Sequence, residues 1–150
     1  MPTRCLPLLA LVLAGGPLAA QAPEDSTGAL IVQVLGIRAR QGGVLVVALY
    51  DRQRAWLAPD SALAIRREPV RQDSAEVVFP GLRYGGDYAV AVIHDRNGND
   101  KLDMRWLPYP KPKEGSGVSN NRLRNGPPEY DPARVAVRAA ADTIRITLRY

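Results

Sequence analysis

The sequence predicts an all-β chain: an antiparallel two-sheet sandwich of immunoglobulin-like type, with about seven strands and one long loop over 95–131. Three observations carry that expectation. Short runs rich in Val and Ile recur with Gly, Pro, Asn and Asp between them. No stretch of about twelve residues or more shows helical periodicity. The 150 residues, 46% of them hydrophobic, suffice for one domain of ordinary size and not for two.

The first expected strand spans 29–35, where Leu30, Val32 and Val34 share one face. Gly36 and Gln41-Gly42-Gly43 permit a reversal into a second strand over 44–50, so these two runs read as a hairpin. Trp56 and Leu57 are expected to tuck the polar stretch 51–60 against the core. A third strand over 62–71 ends near Pro69. Gln72-Asp73-Ser74 turns the chain into 75–79, and Pro80-Gly81-Leu82 leads through Gly85-Gly86-Asp87 into 88–94. That last run carries Ala89, Ala91 and Ile93 on one side and Tyr88, Val90 and Val92 on the other, which predicts a central strand covered on both faces. At the far end Val135 and Val137 alternate with Arg134 and Arg138, and Ile144, Ile146 and Leu148 alternate with Thr143, Arg145, Thr147 and Arg149. These read as two half-buried strands joined by a hairpin loop over 139–142.

The first residues fall outside this rhythm. Arg4, an apolar run over 6–14 and small residues over 19–22 form the pattern of a removable export signal, which predicts a signal peptide over 1–22 and a single domain over 23–150. Pro7 and Pro17 interrupt the run, which falls short of the roughly 20 apolar residues of a membrane span, so no transmembrane segment is expected after the signal leaves. The single cysteine, Cys5, leaves with it, and disulfides, thiol catalysis and cysteine-zinc sites are excluded together. Only Met1 to Arg4 precede Cys5, too little for a lipoprotein signal. The net charge of +5 comes from basic residues scattered along the chain, a pattern of solubility and not of nucleic-acid binding. An outer-membrane barrel would need at least eight strands of roughly 9 to 11 residues with aromatic girdles, and the runs here are shorter.

From residue 95 the strand rhythm stops. Asp95, Asn97, Asn99 and Asp103 stand at relative positions one, three, five and nine, with the Lys101 carbonyl at position seven, which is the oxygen-ligand spacing of a calcium loop. A hard cation takes six to eight oxygens, and short Asx side chains on a tightly turned backbone present several at once. The loop is not an EF-hand: glycine stands at position four (Gly98), Asp100 at position six, and Trp106 where a bidentate acid belongs. Further ligands would come from Glu114, Asn120, Asn121, Asp131, carbonyls or water. The other reading is an Asx-rich turn whose side chains hydrogen-bond their own backbone. Beyond it, six prolines and three glycines up to Pro132 fix turns without a ladder, and Trp106, Leu107 and Tyr109 give the excursion something to pack with.

His94-Asp95-Arg96-Asn97-Gly98-Asn99-Asp100-Lys101-Leu102-Asp103, then Lys113-Glu114-Gly115-Ser116-Gly117-Val118-Ser119-Asn120-Asn121 and Gly126-Pro127-Pro128-Glu129-Tyr130, resemble the exported bacterial family known as the domain of unknown function 2141 family. The resemblance covers nearly all of the chain after the signal. It implies an exported β-sandwich and supplies neither an activity nor site residues. The family pattern often has glycine where Asp100 stands, an aromatic where Val118 stands, and a shorter link in place of residues 107–112.

Enzyme chemistry finds little purchase. His94 is the only histidine, and on a continuing strand Asp95 points to the opposite side, so it cannot orient the imidazole as a triad acid would. Gly115-Ser116-Gly117 lacks the spacing of a nucleophile elbow. One histidine with Asp95 and Asp103 is a poor zinc set, and no phosphate-cradling glycine loop precedes a helix. The expected function is an exported, non-catalytic binding or structural accessory module of the cell envelope, periplasmic or extracellular, with an envelope protein or glycan as partner. Calcium, held by Asp95, Asn97, Asn99, Lys101 and Asp103, is its one candidate cofactor. The alternative is a small hydrolase of an envelope polymer working through paired carboxylates.

Overall fold

The computed structural model describes residues 27–108, 110–121 and 126–150; the expected signal peptide lies outside them. Ten strands are formed among the described residues: β1 (Thr27–Leu35), β2 (Val44–Tyr50), β3 (Ala64–Pro69), β4 (Ser74–Arg83), β5 (Asp87–Asp95), β6 (Met104–Arg105), β7 (Lys111–Pro112), β8 (Gly115–Val118), β9 (Val135–Ala136) and β10 (Ala141–Thr147). One short helix, α1 (Tyr130–Ala133), precedes β9. One sheet has the order β10-β1-β4 and the other β3-β2-β5-β8, with β9 attached to β5 and β6 paired with β7. The architecture is an all-β sandwich, with ten strands where about seven are expected.

The period-two pattern explains the core. Leu30, Val32 and Val34 of β1, Val77 and Phe79 of β4 and Ile146 of β10 meet Leu45, Val47 and Leu49 of β2 and Tyr88, Val90 and Val92 of β5. Burial of such side chains is the main stabilising term, on the order of 1.5–3 kcal/mol each. The far side of β5 is covered too, as expected for a central strand. Ala89 and Ala91, with Ala48 and Tyr50 of β2, pack against Ala55, Val118, Tyr130 and Ala133. Trp56 tucks in here, donating from Nε1 to the Pro128 carbonyl at 2.7 Å and meeting the Tyr50 and Tyr130 rings edge-on at 5.2 and 5.8 Å. Leu57 does not follow it: with φ +60 it turns outward and is 40% exposed. Burial raises the hydroxyl pKa of Tyr50, and burial reinforced by the charges of Asp51 and Asp87 does the same at Tyr130.

Four local expectations are corrected. The 29–35 and 44–50 runs do not form a hairpin, because β1 pairs with β4 and β10 while β2 pairs with β3 and β5. The connection is long enough to cross between the sheets and buries Ile37 on the way. The last two runs do not form a hairpin either: β9 pairs with β5, and β10 runs parallel to β1 in an otherwise antiparallel sandwich. Asp142 makes that turn by accepting the backbone N–H groups of Arg138 and Ala139. The expected 75–79 strand extends to Arg83, with a register shift opposite Gly28 and Leu30 that absorbs Pro80 and Gly81 on an edge strand.

The fourth correction concerns 95–131, which is not one long loop. Gly115–Val118 forms β8 and pairs with β5 from His94↔Gly115 to Ala91↔Val118. Glycine usually weakens a strand, but here it admits the chain's last residues. A Cβ on Gly115 would fall 2.4 Å from the Tyr150 ring, and one on Gly117 2.7 Å from Cγ2 of Ile146. Ser116 and Arg149 exchange two backbone hydrogen bonds of 2.9 Å, so the segment after β10 links the two sheets along this edge.

Candidate functional site

The candidate site lies where β5 ends. Asp95, its last residue, is 1% exposed, and the backbone wraps around its carboxylate. Oδ1 accepts the N–H groups of Asn97 (3.2 Å), Gly98 (2.8 Å) and Asn99 (3.3 Å), and Oδ2 accepts that of Asp100 at 2.7 Å. Wrapping this tightly requires left-handed backbone at Gly98 (φ +72) and at Asp100 (φ +57). The glycine that the resemblance places at the Asp100 position has its physical reason in that angle.

The asparagines repeat the pattern one layer out. Asn97 Oδ1 accepts the Asn99 N–H at 3.2 Å, and Asn99 Oδ1 accepts the Lys101 N–H at 2.9 Å. Their amide nitrogens both donate to the Asp103 carboxylate, at 2.8 Å from Asn97 and 3.1 Å from Asn99. Asp95, Asn97, Asn99, Lys101 and Asp103 thus belong to one closed network, in which Lys101 takes part through its backbone. The bonds are those of an Asx-rich turn. Each amide oxygen keeps a second lone pair, so the same side chains retain capacity for a cation.

Glu114 completes the loop. It is 1% exposed, and it accepts the Arg96 N–H at 2.9 Å on Oε1 and the Asp103 N–H at 3.3 Å on Oε2, so one carboxylate ties both ends of 96–103. The Lys113 N–H donates to the Asp103 carbonyl at 2.8 Å, and the Arg96 guanidinium to the Lys113 carbonyl at 2.9 Å. Of the other supplementary ligands considered, Asn120 donates to the Pro132 and Arg134 carbonyls and Asp131 faces Arg134, both on the α1 segment. The Asn121 side chain lies outside what is described. Asp100 points to Arg67, with contacts of 2.8 and 3.1 Å. The hydrogen bond from Arg67 holds the Asp100 carboxyl below the usual carboxylate range, and Arg67 is raised in turn. Among the described residues, no three of His, Cys, Asp and Glu gather as metal ligands, so a cation here would lean on amide and carbonyl oxygens.

His94, fully buried, faces away from Asp95. Its Nε2 lies 2.6 Å from the Gly42 carbonyl and its Nδ1 2.7 Å from the Tyr150 hydroxyl. A carbonyl only accepts, so Nε2 carries a proton and donates it to Gly42, while Nδ1 and the Tyr150 hydroxyl share the second hydrogen bond. The Tyr150 oxygen in turn accepts the Arg38 N–H at 3.0 Å, while the Arg38 guanidinium lies 4.0 Å over the ring. Both ring nitrogens of His94 and the Tyr150 hydroxyl are engaged in holding the edge between β5, β8 and the segment after β10. Sequence reasoning separates His94 from Asp95 and misses Tyr150 as its partner. The signal was present in Gly115 and Gly117, whose missing side chains make room for the returning chain.

No curated protein and no solved structure matches the chain. A family model described as "Uncharacterized protein conserved in bacteria (DUF2141)" matches residues 32–145, from within β1 to within β10 and through the whole Asp95 network. The chain therefore belongs to the domain of unknown function 2141 family.

Proposed function

We propose that the chain is an exported, non-catalytic binding or structural module of the cell envelope, in which a calcium ion ties the 95–103 loop to the end of β5. The observation that carries the ion is the convergence of Asn97 and Asn99 on the Asp103 carboxylate, in the same loop whose backbone wraps Asp95. A cation beside the Asp103 carboxylate would be met by the second lone pairs of the two amide oxygens. The N-terminal signal pattern supports export, and extracellular sites need calcium affinities of only roughly 10⁻⁴ to 10⁻³ M. Among the described residues no helix is long and apolar enough to cross a membrane. The two buried acids, Asp95 and Glu114, spend their oxygens on backbone N–H groups, an arrangement suited to shaping a loop.

Calorimetry on metal-stripped protein tests the ion. The expected result is heat at sub-millimolar to millimolar calcium and a raised Tm, both lost in Asp103→Ala. No heat and no Tm shift at millimolar calcium remove the ion from the proposal. Export is tested by fractionating cells and weighing the chain. A shortened form beginning near residue 23 in the envelope or medium supports it, and a full-length chain retained inside overturns it.

A further inference from the structure

Past the Asp95 network the chain makes a short hairpin, β6 with β7, in the register Met104↔Pro112 and Arg105↔Lys111. The tip it carries stands apart from the rest of the surface. Trp106 is 69% exposed and Leu107 81%, whereas among the described residues the next most exposed large apolar side chain, Leu63, is 46% exposed. Two adjacent large apolar residues held in water cost free energy that a monomeric fold has no reason to accept. The stalk beneath them is fixed by Glu114 on the Asp103 N–H and by Lys113 on the Asp103 carbonyl.

The charges around the tip are mainly positive: between 101 and 113 the chain carries four cationic side chains and one acid, Asp103. Lys101, Arg105, Lys111 and Lys113 take part in no ion pair among the described residues. The nearby acids are engaged: Asp100 by Arg67, Asp103 by Asn97 and Asn99, and Glu114 by two backbone N–H groups. We propose that this hairpin is a membrane-docking tip, inserting Trp106 and Leu107 into the headgroup region of an anionic lipid surface while the four cations face the lipid charges. Tryptophan favours that interface because its ring is apolar and its N–H is polar. Basic residues beside an apolar wedge are drawn to anionic lipids. A glycan fits less well, since no Asn, Gln, Ser or Thr stands between 104 and 113 to pair with sugar hydroxyls, and Leu107 offers no flat face for stacking. The inference does not depend on calcium in the neighbouring loop.

Residues 23–150 contain every strand and core side chain described and leave out the apolar N-terminal segment, so they are the form to test. In buffer with EDTA, this chain is mixed with phosphatidylcholine vesicles with and without phosphatidylglycerol. The expected result is sedimentation with the anionic vesicles, weakened by salt, together with a blue shift of tryptophan emission. Trp106→Ala should lower partitioning about tenfold and remove the shift while leaving Tm unchanged. Arg105→Glu/Lys113→Glu should remove the salt dependence. Equal binding to neutral vesicles, absence of vesicle binding, or binding unchanged in Trp106→Ala overturns the proposal. Retention on insoluble peptidoglycan that needs Trp106, without vesicle binding, assigns the tip to a glycan and overturns it as well.

Discussion

β5 passes through two environments that are held together differently. Along Tyr88, Val90 and Val92 it is packed between sheets by apolar contacts, which are non-directional and sum over many atoms. At His94 and Asp95, just past Ile93, burial is just as complete but the neighbours are hydrogen-bond donors and acceptors. The core therefore responds to volume, and the loop end responds to which atom carries a proton. Substitutions that keep shape and change polarity should separate the two regions.

The largest loss should come from the core. Phe79→Ala, at a side chain 1% exposed, is expected to cost about 3–5 kcal/mol in a denaturant titration. Asp95→Asn changes almost no volume, yet it sets an amide N–H against one or more of the four backbone donors. A loss of about 2–3 kcal/mol is expected, and a loss under half of that would mean that the loop end is not held as described. Gly115→Ala drives a methyl into the Tyr150 ring, for about 1–3 kcal/mol. Combined with Tyr150→Ala its additional cost should largely vanish, and additivity of the two losses would break the account of that edge. The smallest effect belongs to the exposed Arg67–Asp100 pair. Because Asp100 is lowered in the folded chain, its contribution is present above the usual carboxylate range and lost as pH falls through the folded pKa. Arg67→Ala should remove that acid dependence with hardly any change in Tm at neutral pH, since exposed pairs are screened.

Apolar patterning is a local property, alternating in β1 and β10 and unbroken in β2 and β5, and it made these strands legible in the sequence. Pairing is not local, so the turn-like glycines between β1 and β2 suggested a hairpin where the chain in fact changes sheet. β8 was illegible because its signal is an absence: Gly115 and Gly117 lack the side chains by which strands are recognised, and the reason lies in Ile146 and Tyr150, far along the chain. At the candidate site the Asx spacing was readable as one closed loop, since each member acts on its neighbours. Glu114 could be named only as one extra ligand among several. Its place beneath both Arg96 and Asp103 follows from β8 pairing with His94, which the spacing does not contain.

The parallel partnership of β1 and β10 bears on how the molecule is made. Among the described strands β1 comes earliest in the chain and is the middle strand of its sheet, and one of its two neighbours, β10, comes latest. Until residues 141–147 are available, β1 keeps an open edge able to pair with any extended segment nearby. A nascent or truncated chain ending before Ala141 is thus the species most prone to self-association. Contacts this distant in sequence also place folding among the slower β topologies, on the order of milliseconds to seconds.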